Sequence, residues 1–394
     1  MNIVKLLNGR EKSVLRRHPW IFSGAIANIT GNPVPGETVK VVNSKNEPIA
    51  LAAFSPESQI TARVWTFNCD EEINEDFFRS RITRAIQLRE KLGYNTPNCG
   101  CRLIFSESDG LPGLIADKYA DYIVIQISSA GIEFHKDTII KVLMESTNVR
   151  GIFERSDLGI RKREGLPERQ GLLAGAEPPK AISISEHSFH YAVDMRHGQK
   201  TGFYFDLGTA RKRFVSLAKG RVLNTFSYTG AFAVCALSSN ADYVLNIDSS
   251  RHALDQASKN LELNNISSDR YENRCCDVFD ELKKLKESGE LFDTIILDPP
   301  KLIENKGQVD RGCRAYQFLA RHGFSMLKPG GIMLNFSCSG LMTPDLFQKI
   351  TAAAAIEANT DAAIVEHLEQ APDHPVLLSV PETAYLKGLV SVKY

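Results

Sequence analysis

From about residue 191 onward, short apolar runs alternate with amphipathic ones, and this alternation constrains the fold more than any other feature of the chain. Residues 222–225, 243–247, 271–275, 294–297 and 332–336 read as strands, rich in β-branched and aromatic side chains. Between them, residues 231–237, 251–263, 278–287 and 314–326 carry helical periodicity. Repeated β-α-β units imply a parallel sheet covered by helices on both faces, because a parallel crossover needs a connection long enough to hold a helix. The expected class is therefore α/β, with a Rossmann-like doubly wound sheet over residues 191–394. Residues 385–393 alternate enough to form a final strand.

The chain has 394 residues, too many for one core, so further domains are expected before that point. Over residues 1–75, strands at 38–42, 49–54 and 60–67 lie between turn signals such as Pro35-Gly36 and Asn46-Glu47-Pro48, the pattern of a small β-barrel or sandwich. Residues 76–190 mix both types and read as a middle α+β domain. A helix over 76–92 carries Phe77, Phe78, Ile82, Ala85, Ile86 and Leu88 on one broad face. Strands at 102–106 and 122–127 flank Gly110-Leu-Pro-Gly113, a helix follows near 135–145, and a strand near 151–154. The charged, Gly- and Pro-rich stretch 161–179 reads as a loop.

Composition excludes several classes. No apolar run approaches the ~20 residues that span a bilayer, and the N-terminus lacks the apolar core of a signal peptide, so a cytoplasmic protein without membrane contact is expected. Eight cysteines without a secretion signal read as reduced thiols. Cys99-x-Cys101, Cys275-Cys276 and the group His187, His190 and His197 lack metal-ligand spacing, so structural roles and no metal are expected. A formal net charge of zero excludes a wholly basic nucleic-acid binder. Two local basic stretches remain: Lys5, Arg10, Lys12, Arg16 and Arg17 near the start, and Arg211, Lys212, Arg213, Lys219 and Arg221. Either they are solvated faces or they bind phosphates.

The first strand of the C-terminal sheet runs into Asn224-Thr-Phe-Ser-Tyr-Thr-Gly-Ala-Phe232, which opens a helix. Gly230 permits a tight turn. Only one glycine is present, so the loop serves a dinucleotide pyrophosphate poorly. A nucleoside without phosphate fits better, which points to S-adenosylmethionine. Asp248 ends the second strand, where an acid accepts hydrogen bonds from a ribose diol. Asp277 follows the third, where a side chain can meet an adenine amino group.

Asp298-Pro-Pro-Lys301 ends the fourth strand and Ser337-Cys338-Ser339 the fifth. With strand order 3-2-1-4-5, these two ends are neighbours beside the donor methyl. Two prolines fix the backbone after Asp298. The acid can then accept from an exocyclic amine or a protonated ring nitrogen, as cytosine offers, while Lys301 reaches a phosphate. The thiol has a chemical reason to be there: C5 of a pyrimidine is a weak nucleophile until a thiolate adds at C6 and turns the ring into an enamine.

At these residues the sequence resembles the bacterial large-subunit (23S) ribosomal RNA cytosine-C5 methyltransferases that carry an N-terminal PUA domain. Matching segments run from GREKSVLRRHPWIFSGAI through SPESQITARVWTF, ESDGLPGL, RSDLGIRKREG, GQKTGFYFD, FSYTGAFAV and LDPPKLIENK to FSCSGLMTPDLFQKI and DHPV. The resemblance implies a PUA RNA-binding domain, a middle α+β domain and a class I methyltransferase domain. It implies S-adenosylmethionine as donor, held by Phe203, Tyr204, Phe226, Tyr228, Thr229, Gly230, Asp248, Ser249, Asp277 and Asp298. It also implies Cys338 as nucleophile with Asp298 beside it, and ribosomal RNA as partner, met by Arg16, Arg17, Lys301 and Arg211. In one place the chain departs from the family: Leu207-Gly208 stand where Gln-Arg is usual, so a contact made by that arginine is absent here.

Two other functions remain open on sequence grounds. One is an amino-nitrogen methyltransferase, which suits acid-Pro-Pro followed by an aromatic, although Lys301 takes the aromatic's place. The other is a non-catalytic RNA-binding or ribosome assembly factor of the same fold. The oligomeric state is open as well, a homodimer included.

Overall fold

A computed structural model describes residues 2–157 and 159–394. The chain forms two compact units, the first from Met1–Ile184, Val193–Phe205 and Asp373–Thr383, the second from Ser185–Ala192, Asp206–Pro372 and Ala384–Tyr394. Met1, where the expected first domain begins, lies outside the described residues.

The first unit begins with a six-stranded sheet of Ile3–Leu6, Trp20–Ile21, Ile26–Thr30, Thr38–Val42, Pro48–Phe54 and Ala62–Thr66. Ile3–Leu6 runs parallel to Thr38–Val42, and the remaining pairs are antiparallel. Val4, Leu6, Val39, Val41, Ala50, Ala52 and Val64 turn inward to form its core, the every-second-residue burial that pleating dictates. The sequence pattern shows three of these strands. Of the other three, Ile3–Leu6 and Trp20–Ile21 have four and two residues, too few for a period-two signal to stand out, and Ile26–Thr30 is mostly exposed and shows no buried alternation.

A five-stranded sheet follows, in the spatial order Arg169–Gly175, Gly151–Ser156, Tyr122–Ile127, Leu114–Tyr119, Gly100–Phe105. Helices Glu75–Lys91 and Lys136–Ser146 bury Phe78, Ile82, Ala85, Ile139, Val142 and Leu143 against it. Two expectations are corrected here. The stretch 161–179 is not all loop, since Arg169–Gly175 pairs with Gly151–Ser156 as an edge strand. An edge keeps one row of backbone groups in water, so charges and glycines are tolerated there. Leu114–Tyr119 is a strand as well, joined to Tyr122–Ile127 by a turn in which Ala120 adopts φ +50° without the glycine that marks such turns.

Buried ion pairs lock this sheet. Arg89, 0% exposed, binds both carboxylate oxygens of Asp109 at 2.6 and 2.8 Å and donates to the carbonyls of Arg102 and Asp373. Arg102 binds Asp117 in the same two-pronged way, at 2.7 and 2.8 Å. Its backbone N–H donates to the Asp373 carboxylate, which ties the segment Asp373–Thr383 into the unit.

The second unit is built on one seven-stranded sheet. Its strands are β1 (Lys219–Thr225), β2 (Asn240–Asp248), β3 (Tyr271–Cys275), β4 (Phe292–Leu297), β5 (Leu327–Ser337), β6 (Ala362–Leu368) and β7 (Lys387–Lys393). They lie in the order β3-β2-β1-β4-β5-β7-β6, the first five parallel and the last two antiparallel to their neighbours. This is the expected α/β Rossmann-like architecture, extended by a return strand that inserts next to β5. The sequence pattern does not show β6, because Glu366 and His367 cut its apolar run short. Two buried asparagines and a half-buried third span β1, β2 and β3 on a single rung. Asn224 donates to Asn246 at 2.8 Å, and Asn246 donates to Asn273 at 2.9 Å.

Replacing Asp109 by Ala strands the Arg89 charge in the core, an expected cost of about 3–5 kcal/mol to the first unit. Both tryptophans, Trp20 and Trp65, lie in that unit, so tryptophan fluorescence during urea unfolding reads the change, as a lower midpoint.

Candidate active site

The loop after β1 is bent into an unusual shape. Phe226, Tyr228 and Gly230 all have positive φ, at +53°, +47° and +74°. Left-handed backbone at two non-glycine residues costs of order 1–3 kcal/mol each and persists where its surroundings hold it. Here the Asp248 carboxylate at the end of β2 accepts from the Tyr228 N–H at 2.9 Å with one oxygen, and from Ser250 N–H at 2.8 Å with the other. Asn260 donates to the Thr229 carbonyl at 2.9 Å. A Cβ on Gly230 would lie 2.8 Å from the Ala257 Cβ, so only glycine lets the loop pass the helix Arg251–Leu263.

Asp248 is half-buried, with both oxygens already oriented by backbone N–H groups. Ser249 is exposed beside it, and its carbonyl accepts from the Cys275 thiol. Asp277 is exposed and caps the helix Val278–Glu287 through the Asp280 N–H at 3.1 Å. Phe279, which the sequence reading overlooked, brings its ring edge-on to Phe226 with centroids 6.2 Å apart. These donors fit the nucleoside end of S-adenosylmethionine: a fixed carboxylate at one strand end, a second at the next, aromatic rings between, and a one-glycine loop with no diphosphate cradle.

β4 and β5 pair in parallel with Leu297 opposite Asn335, so Asp298 and Ser337-Cys338 leave the same end of adjacent strands. Asp298 and Cys338 are half-buried, Pro299 is buried, and Pro300 and Lys301 are exposed. The two serines beside Cys338 have separate tasks. Ser339 Oγ accepts from the Ile303 N–H at 3.2 Å and lies 3.0 Å from the Tyr316 hydroxyl, which joins the loop after β4 and the helix Val309–Met326 to the cysteine turn. Ser337 Oγ accepts from the Ser339 N–H at 3.4 Å. Burial raises the Tyr316 phenol above its ordinary value, and the charge of Cys338 adds to that rise.

A second residue overlooked in the sequence is Lys387. It stands opposite Ser337 on β7, and its ammonium donates to the Ser339 carbonyl at 2.7 Å and the Tyr385 carbonyl at 2.6 Å. Burial pulls its pKa down to about 8. The Cys338 charge opposes that fall and the Lys301 charge adds to it. No sequence signal marks this lysine, because its place depends on the antiparallel return of β7.

The other candidates lie elsewhere. Phe203 and Tyr204 belong to the first unit, where the Phe203 N–H donates to the Tyr119 hydroxyl at 3.1 Å and the Tyr204 hydroxyl to Gln199 at 2.7 Å. Arg16 and Arg17 are exposed there, with the Arg17 guanidinium 5.0 Å from the centre of the Phe67 ring. Arg211 is not a surface cation. It is 1% exposed and grips the Glu186 carboxylate at 2.5 and 2.7 Å, a buried pair that leaves it out of reach of a phosphate. Gly208 sits close to the same carboxylate: a Cβ there would lie 3.0 Å from Glu186 Oε1.

Strand order, the one-glycine loop and Asp248 together define a Rossmann-like S-adenosylmethionine-dependent methyltransferase. Residues 159–391 match the family described as S-adenosylmethionine-dependent methyltransferase, and residues 4–67 match a PUA-like domain. A solved structure described as a putative SAM-dependent methyltransferase from Streptococcus mutans shares the fold at TM-score 0.85 and 20% identity, with all of both chains covered. Another, a putative methyltransferase complexed with SAH, does so at TM-score 0.86 and 21% identity over 99% of each chain. The chain is 47% identical over 384 residues, 97% of each sequence, to Ribosomal RNA large subunit methyltransferase I from Yersinia pseudotuberculosis, and equally to its counterpart from Yersinia pestis. The chain belongs to this family of S-adenosylmethionine-dependent methyltransferases, as the sequence resemblance implied.

Asp248→Ala removes a charged acceptor from the two backbone N–H groups that shape the loop after β1. Hydrogen bonds to charged groups contribute ~1.5–3 kcal/mol, so S-adenosylmethionine affinity should fall about ten- to a hundredfold by calorimetry.

Proposed function

We propose that this protein transfers a methyl group from S-adenosylmethionine to C5 of a cytosine in large-subunit ribosomal RNA, with Cys338 adding transiently at C6. The observation that carries this reading is a thiol and a carboxylate at the same end of adjacent parallel strands, in a chain 47% identical to ribosomal RNA large subunit methyltransferases. The cofactor, when bound, supplies an electrophilic methyl group.

The roles of the residues follow from their chemistry. The Cys338 sulfur bonds to C6, the C5=C6 electrons shift to make an enamine, and C5 becomes nucleophilic enough to take the methyl group. Loss of the C5 proton and breakage of the C6–S bond then restore the ring. Asp298, on a backbone fixed by Pro299 and Pro300, accepts from the cytosine amino group or its protonated N3 and so orients the ring edge. Phe226, Tyr228, Thr229, Gly230, Asp248, Ser249 and Asp277 hold the cofactor, with Phe203 and Tyr204 assigned to it from the family motif. Arg16, Arg17 and Lys301, all exposed, meet RNA phosphates; Arg211 has no part in that contact. In this reading residues 1–75 are the PUA-like RNA-binding part, 76–190 a middle α+β part, and 191–394 the catalytic part.

Fluorine at C5 cannot leave as a proton does, so RNA containing 5-fluorocytosine traps the thiol adduct. The wild-type protein with methyl donor should form a covalent complex that survives denaturation, and Cys338→Ala should form none. A complex that persists in Cys338→Ala excludes this nucleophile. Nucleotide-resolution mapping of ribosomal RNA with and without the gene should show the loss of a 5-methylcytosine. A methyl group lost from an exocyclic nitrogen instead would replace the C5 assignment.

A further inference from the structure

A neutral thiol is a poor nucleophile, so a cysteine that attacks C6 needs a neighbour that holds its charge. The structure supplies one from a strand that the reaction itself does not require. β7 runs back against β5 with Lys387 opposite Ser337, one residue before the thiol. The Lys387 side chain is not loose. It is half-buried, and two of its N–H groups are taken by the Ser339 and Tyr385 carbonyls at 2.7 and 2.6 Å. A neutral amine has two N–H bonds and a lone pair, whereas the ammonium has three N–H bonds. The two carbonyls therefore hold the nitrogen in place and leave the ammonium a third N–H to donate.

We propose that the Lys387 ammonium holds the Cys338 thiolate as an ion pair, which makes it the positioning residue for the nucleophile. The S–H bond breaks, its proton passes to water, and the electron pair stays on sulfur. When the C6–S bond later breaks, the same ammonium stabilises the departing thiolate. This role rests on the reading of Cys338 as the nucleophile.

Burial brings Lys387 down to about 8, still above neutral pH, so the group remains an ammonium there and attracts the thiolate. Other groups face the pair. The Lys301 ammonium, on the loop after β4, also favours a thiolate while pressing Lys387 to give up its proton. Asp298, at the end of β4, opposes the thiolate. Tyr316, on the helix Val309–Met326, is raised by burial and by the Cys338 charge, and so stays neutral. The Tyr385 hydroxyl donates to Asp206 at 2.6 Å, so that carboxylate is engaged at the start of the return strand.

The test is the pH dependence of alkylation of Cys338 by iodoacetamide, read by mass spectrometry on the peptide that contains it. In the wild-type protein the half-point should lie below the ordinary ~8.5. Lys387→Met should move it upward and slow alkylation at pH 7 by about tenfold or more, since each unit leaves about tenfold less thiolate. Lys387→Arg, which keeps a cation, should stay near the wild type. A wild-type half-point at or above the ordinary value overturns the proposal and needs no variant that folds. A Lys387→Met profile that superimposes on the wild type overturns it too. The 5-fluorocytosine complex separates this failure from failure of the underlying reading. If the wild type forms the complex through Cys338 but its alkylation profile is ordinary, Lys387 alone loses its role. If the wild type forms no complex, the nucleophile assignment itself falls.

Discussion

The site depends on the register of parallel strands. In β3-β2-β1-β4-β5, side chains at the carboxyl ends meet only if the strands stop in line. The amides of Asn224, Asn246 and Asn273 fix β1, β2 and β3 to one another, and the backbone ladders carry the register on to β4 and β5. A slip of one residue would leave buried amides without partners, at about 1–3 kcal/mol each, and would turn every side chain to the opposite face. With the rung held, Thr225 stands opposite Leu297 and Asp248 opposite Cys275, so the strained loop after β1 lands beside the carboxylate that secures it.

On the other side of β1 the same alignment brings the acid and the thiol to neighbouring strand ends. Contacts to its flanking serines hold the thiol's turn there. Ser339 gathers Ile303, Tyr316 and Lys387 from three different elements, so the cysteine turn is fixed before any substrate arrives. The first unit relies on buried two-pronged arginine–carboxylate pairs, Arg89–Asp109 and Arg102–Asp117, in which each removed partner strands the other.

Much of this was legible in the chain alone. Helices 231–237, 251–263 and 278–287 have the boundaries that the sequence predicts: the last two each bury one regular face, and the first is apolar throughout and buried almost entirely. Asp248, Asp277, Asp298 and Cys338 stand out because each closes or follows a predicted strand of the alternating pattern. Arg211 misled for a physical reason. Its charge density reads as a solvated basic face, yet Glu186, distant in sequence, takes it into the interior. Leu114–Tyr119 and Arg169–Gly175 were hidden, one behind a turn without glycine and the other in a polar edge strand.

Local pattern determined the alternation of strands and helices, the single-glycine loop and the polar residues at strand ends, since each is written within a few neighbouring positions. Tertiary structure alone decided which of those ends meet. Lys387 shows the difference most clearly. It reaches the cysteine turn only because β7 inserts antiparallel next to β5, a pairing between residues some fifty positions apart that rests on packing against the finished sheet rather than on any local propensity.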